Sequence, residues 1–173
     1  MFFAHLPAGY MITRAWNRAF DNRIESPALL MGLGLLASIL PDFDLIYAFL
    51  IDHGRLHHHR YLTHWPFFWL AMLGCWALLM RNGRLPPRWH ELAVVSLNVA
   101  MHLCLDWIVS VMFLLAPFSN QRFNLIDVPA RYQPWYLNFF LYWTIWLEVG
   151  ITAVGAYLFF RDRPWRKVEI WQR

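Results

Sequence analysis

The sequence predicts an all-α, membrane-embedded bundle of about four helices forming one domain over residues 1–173, and three observations predict it. Hydrophobic residues make up 59% of the chain and charged residues only 15%, against roughly 25% charged in a typical soluble domain. A soluble core of this size has no room for that much apolar surface. Aromatic residues reach 18%, with eleven Trp, as expected of a chain anchored at two membrane–water interfaces. Several apolar stretches approach the roughly 20 residues that a spanning helix requires.

The first stretch runs from about Pro27 to Ile51 and is interrupted by Pro41-Asp42-Phe43-Asp44. The second, about Trp65 to Met80, is short. Asn82-Gly83 and Pro86-Pro87 mark the turn that follows it. The third covers about Glu91 to Ala116 and the fourth about Trp135 to Phe160. Between them, Phe118 to Pro134 reads as an ordered polar loop. The N-terminal segment lacks a basic region and a cleavage site, and so does not read as a removable signal peptide. Cys75 and Cys104 both fall in apolar stretches and predict no disulfide.

Charge sets the orientation. The net charge of +4 forms no continuous stripe, so nucleic acid is not the expected partner. Arg14, Arg18, Arg23, Arg81, Arg84, Arg88, Arg161, Arg163, Arg166, Lys167 and Arg173 lie on one side of the predicted spans. The other side carries only Arg55, Arg60, Arg122 and Arg131. By the positive-inside rule both termini are expected in the cytoplasm. In a bacterial inner membrane the 52–64 and 117–135 loops would then face the periplasm.

Ionisable groups within a span are costly, and each marks a functional site by default. Asn98, His102, Asp106 and Ser110 recur every four residues, which puts His102 and Asp106 side by side on one helix face. The bland alternative is hydrogen-bonded glue between helices, for which a carboxylate is an expensive choice. Pro41 breaks the first stretch, and broken backbone at membrane depth must line a wet cavity or pack in protein. In an irregular turn, Asp42 and Asp44 are expected to converge on one cation. Five of the eight histidines fall between His53 and His64. Of these, His59 and His64 are the expected ligands, with Arg60 supplying a fixed cation for an anionic oxygen. His57 and His58 are expected to face solvent, and His90 lies on the opposite side. Imidazole and carboxylate donors together suit a divalent ion such as zinc, manganese or iron.

At 1.5 Å per residue, Asp42, His102 and Asp106 reach similar depths, in the outer half of the bilayer. His5 does not fit this simply. Either it is an interfacial side chain on a cytoplasmic N-terminus, or roughly 13 residues ahead of Arg14 form a re-entrant arm. Glu148 in the fourth stretch either pairs with Arg60 or a site histidine, or bonds between helices.

Taken in order, His5…Gly9, Gly32-x-Gly34…Leu40-Pro41-Asp42-Phe43-Asp44, His59-Arg60-x-x-Thr63-His64 and His102-x-x-x-Asp106-Trp107 resemble the YdjM-like membrane-bound metal-dependent hydrolases. These are bacterial inner-membrane proteins, and the resemblance covers roughly residues 1 to 118. Trp65 stands where the family often has Ser, which leaves Thr63 as the nearby hydroxyl. The family is distantly similar to the zinc-dependent phospholipase C and single-strand nuclease group. That resemblance implies His5, Asp42, His59, His64, His102 and Asp106 as ligands of one to three ions, zinc or manganese foremost. It also implies an N-terminus drawn into the site. The activity it implies is hydrolysis of a phosphoester in a membrane lipid or lipid-linked substrate, with Asp44 as a further ligand or general base and Arg60 steadying the phosphoryl charge. The rival expectation is a non-enzymatic metal-binding scaffold or transporter subunit.

Overall fold

In a computed structural model, which describes residues 3–53, 56–134 and 136–162, the chain is helical over most of its apolar stretches. Arg55, Trp135 and the basic residues Arg163, Arg166, Lys167 and Arg173 lie outside the described residues. Helix α1 (His5–Ala19) precedes α2 (Pro27–Ile39). The start of α2 is fixed by Pro27 in its first turn and by Ser26, whose hydroxyl accepts from the backbone N–H of Leu29 at 3.3 Å. A 3₁₀ turn over Leu40–Phe43 then leads into the short α3 (Asp44–Leu50). Two further 3₁₀ turns, His58–Arg60 and Leu62–His64, carry the chain to α4 (Pro66–Arg81), which Pro66 opens. Next come α5 (Trp89–Val109), the four-residue α6 (Leu137–Phe140) and α7 (Ile145–Asp162).

Among the described residues, two helical stretches are long and apolar enough to cross a membrane, Pro27–Leu50 and Trp89–Val109. Helix α4 is apolar but has 16 residues, about 24 Å of helix. The third apolar stretch ends earlier than its composition predicts. Ser110 is extended, and Met112 pairs with Phe123 in an isolated antiparallel bridge. The loop after α5 therefore folds back on the helix end, with Leu125 and Ile126 donating to the carbonyls of Trp107 and Ile108. The fourth stretch is split, because the helix stops at Phe140 and resumes only at Ile145.

The centre of the bundle is α1, α2 and α5 in mutual contact, with α4 against α5 and α7 against α1. Small residues allow the close approach. A side chain at Gly9 would overlap Ser38, and one at Gly34 would overlap Thr13. On the other flank Ala37, Trp69, Val99, Leu103 and Met112 form the apolar core. Helix α7 grips α1 along its length. Glu148 accepts from the backbone N–H of Phe3 at 2.7 Å. A Cβ on Gly155 would come within 2.7 Å of Pro7. Asp162 accepts from Tyr10, Arg14 and Arg18. Lying past the fourth apolar stretch, the Asp162 carboxyl is held down to about 2 by the hydrogen bonds from Arg14.

Candidate metal centre

Helix α5 supplies the floor of the centre. Its four-residue stripe turns Asn98, His102 and Asp106 onto the buried face, each 1% exposed or less. Asn98 is one turn below His102 and donates to the Thr13 hydroxyl at 3.1 Å and to the Val94 carbonyl at 2.8 Å. Above it, the His102 and Asp106 side chains approach to 3.1 Å (Nε2 to Oδ2). Ser110 belongs to the extended segment after the helix and not to the stripe.

Four chain segments converge on Asp106. His5, in the first turn of α1, places Nε2 at 3.2 Å from Asp106 Oδ1, and its ring stacks on His102 with centroids 3.9 Å apart. His59 Nε2 lies 3.5 Å from Asp106 Oδ2, and His64 Nε2 lies 3.6 Å from the same oxygen. Asp42, from the break after α2, is 3.6 Å from both His64 Nε2 and His102 Nε2. One donor atom each from Asp42, His64, His102 and Asp106 falls within 4.8 Å of the others, a spacing that could hold a metal ion.

The histidines are oriented for this. His102 Nδ1 donates to the Ser38 carbonyl at 2.7 Å, His59 Nδ1 to the Val111 carbonyl at 3.1 Å, and His64 Nδ1 to Asp44 Oδ2 at 2.6 Å. With the proton on Nδ1, each Nε2 presents its lone pair inward, which is how metal-binding histidines are usually held. The inward Nε2 atoms of His64 and His102 are buried and meet no hydrogen-bond partner. Unsatisfied buried polar atoms are costly. A cation among these atoms removes that cost, so the residues fit a metal. The donor set is nitrogen and oxygen without thiolate, since Cys75 and Cys104 are exposed elsewhere; such a set suits zinc, manganese or iron.

Protonation reports the same field. Burial alone works against a charged His64 ring, but the carboxylates of Asp106, Asp42 and Asp44 outweigh it and lift the group to about 10. His59 goes the other way: burial pushes it down to about 3 against the pull of Asp106. Without a metal, His64 thus carries a second proton on Nε2, the one an incoming ion displaces, while His59 stays neutral.

The two aspartates of the break do not converge as the sequence reading expects. Residues two apart in a turn of three residues per turn point about 240° apart. Asp42 faces the centre, while Asp44 sits behind His64, where its Oδ2 also accepts from the Thr63 hydroxyl at 2.6 Å. Asp44 belongs to a second group, with His58 and His64. His58 is therefore not simply solvent-facing: its Nδ1 lies 3.8 Å from Asp44 Oδ1 and its side chain is 28% exposed. His57 is exposed. Arg60 is also exposed, with its guanidinium stacked 5.4 Å from the Phe113 ring centre. Salt-bridge contacts between Arg60 and the aspartates are absent among the described residues. His90 accepts from Trp16 Nε1 at 3.2 Å, far from the centre in the fold. Glu148 meets the N-terminal backbone and not Arg60. Sequence reasoning passed over His58, and only its neighbourhood to His59 in a triple-His run signalled it.

Beside Asp44 a cavity of about 370 Å³ opens, lined by Phe43, Asp44, Tyr47, Tyr61, Leu62 and Thr63.

Compared with known proteins, residues 1–164 match the family model described as YdjM inner membrane protein. No curated protein and no solved structure matches the chain.

Proposed function

We propose that the chain, which belongs to the YdjM inner membrane protein family, is a multi-pass metal-dependent hydrolase acting on a phosphoester of a membrane lipid or lipid-linked substrate. The observation that carries this reading is the cluster of half-buried Asp42 with buried His64, His102 and Asp106, flanked by His5 and His59. Spans at α2–α3, α4, α5 and α7, with the basic ends of α1, α4 and α7 in the cytoplasm, put that cluster in the outer half of the bilayer. In this topology α1 is a re-entrant arm: it starts beside Asp106 and descends to Arg14 and Arg18.

A divalent ion, zinc or manganese foremost, would be held by these six residues and would supply a Lewis acid that activates water and polarises a phosphoryl oxygen. The chain's own part is orientation and proton handling. The Ser38 and Val111 carbonyls fix His102 and His59. Asp44 fixes His64 and raises its basicity. His58 touches both Asp44 and solvent, so it is placed to pass protons between the centre and water. Arg60, stacked on Phe113, anchors the loop and reaches phosphate only by swinging off that ring.

The test is release of phosphate or a phosphorylated head group from lipid phosphoesters by purified, metal-loaded protein. Activity that disappears in His102→Ala and Asp42→Ala at normal expression supports the proposal. Full activity in both variants overturns it. The crowding of six donors also supports a second reading, a structural metal site in a non-enzymatic scaffold, which predicts stoichiometric metal with no turnover of any lipid.

A further inference from the structure

The His/Asp centre is closed below by tight helix packing. There α1, α2 and α5 meet so closely that a Cβ at Gly9 would overlap Ser38 and one at Gly34 would overlap Thr13. At the centre itself, the His59 and Asp106 side chains are each 2% exposed and His64 is 0% exposed. A hydrated divalent cation reaches such atoms only by giving up its water, and bare charge is costly in an apolar interior. Donors that replace the water stepwise remove that cost, and a buried metal site needs an entry path of this kind.

The 57–64 loop supplies such donors in order. Among the described residues, three groups of His and Asp bring their donor atoms within 4.8 Å of one another: His57, His58 and His59; Asp44, His58 and His64; and Asp42, His64, His102 and Asp106. The first and second groups share His58, and the second and third share His64. Exposure falls along the same line. His57 is exposed, the His58 side chain is 28% exposed, and the His64 side chain is fully buried. The rings follow one another: His57 stacks on His58 with centroids 5.2 Å apart, and His58 meets His64 edge on, also at 5.2 Å. At the middle step, His58 Nδ1 meets no hydrogen-bond partner and lies 3.8 Å from Asp44 Oδ1. A nitrogen and an oxygen donor thus face each other halfway in.

We infer that His57 and His58 form an entry ladder for the divalent cation: His57 captures it at the surface, and His58 with Asp44 passes it to His64 and the centre. This rests on the metal-binding part of the reading above and not on hydrolysis. His57 touches the ion only in transit, so it sets how fast the ion enters and leaves and not how tightly it is held.

His57 can be tested without disturbing the loop. Its Nδ1 caps the His58–Arg60 turn by accepting from the His59 backbone N–H at 3.4 Å, and Asn and Asp both serve as such caps. Asp also ligates zinc, whereas Asn is not among its usual ligands. Metal-free full chain in nanodiscs is mixed with zinc, uptake is timed with an optical zinc indicator, and release is timed after adding excess chelator. His57→Asn should slow uptake and release alike by about tenfold, equal to about 1.4 kcal/mol of barrier, with affinity and number of ions unchanged. His57→Asp should restore the wild-type rates. Wild-type rates in His57→Asn, or slow rates in His57→Asp, would each overturn the inference. A changed affinity or ion number in His57→Asn would do so too, because His57 would then be a resident ligand. A wild-type chain that takes up no zinc overturns the ladder and the metal centre together. Uptake that depends on His57, with no hydrolysis of any lipid, supports the ladder and overturns the hydrolase reading alone.

Discussion

Replacing Asp44 by Asn separates a residue that orients a ligand from one that is a ligand. Asp44 Oδ2 is 2.6 Å from His64 Nδ1 and 2.6 Å from the Thr63 hydroxyl, and the side chain is 4% exposed. Asn preserves the volume and can keep one acceptor, but it loses the charge that fixes the His64 tautomer and strengthens its Nε2. Losing such an outer partner typically lowers metal affinity by about 10- to 100-fold, or about 1.4 to 2.7 kcal/mol. The Asp44→Asn variant should therefore bind the wild-type number of ions with affinity reduced in that range. Chelator competition measures the affinity, and elemental analysis of the saturated protein measures the number. Asp106→Asn, which alters the carboxylate on which His5, His59, His64 and His102 converge, should lose the ion outright. Unchanged affinity in Asp44→Asn would show that the bond to His64 is idle. Loss of stoichiometric metal, equal to that of Asp106→Asn, would show that Asp44 ligates directly.

Three further outcomes follow from the geometry. Glu148→Leu removes the acceptor of the partly buried hydrogen bond from the Phe3 backbone N–H, at about 1 kcal/mol. It should lower the melting temperature and weaken metal binding through His5; a variant unchanged in both would show that α7 does not hold the arm. Gly34→Val drives a side chain into Thr13 and should cost about 1 to 3 kcal/mol or more, checked by thermal unfolding in detergent, where a wild-type melting curve would refute the packing. In the metal-free protein the raised His64 group contributes stability that is full below about 6.5 and lost as pH rises through about 10. Metal binding needs the neutral ring, so uptake within that window should release a proton, and apparent affinity should rise with pH; buffer-dependent calorimetry that detects no proton release would contradict this.

What the sequence revealed and what it hid have physical reasons. The α5 stripe was legible because a four-residue period on an apolar helix fixes a face, and Asn98, His102 and Asp106 are all buried. The break at Pro41 was legible because proline removes a donor; the chain indeed passes through a 3₁₀ turn there. What that turn does to Asp42 and Asp44 depends on residues per turn, which composition does not report. The end of α5 at Val109 and the split before Ile145 were hidden, because Met112, Phe113, Leu141 and Tyr142 are as apolar as the helices around them. Arg60 and His58 exchanged expected places. The stacking of Arg60 on Phe113, more than fifty positions away, and the approach of His58 to Asp44 are tertiary contacts with no local signature. His5 was the opposite case: the basic-residue pattern argued against its reaching the site, while the family resemblance implied that it did. The structure puts its ring on His102.

The central claim is that the His/Asp cluster holds a metal ion. Elemental analysis of the purified chain, alongside His102→Ala and with thermal unfolding to confirm the fold, tests it directly. The native protein should carry at least one divalent ion per chain, and the variant should lose it. A folded native protein that carries no ion, and takes up none when incubated with zinc or manganese, would contradict it.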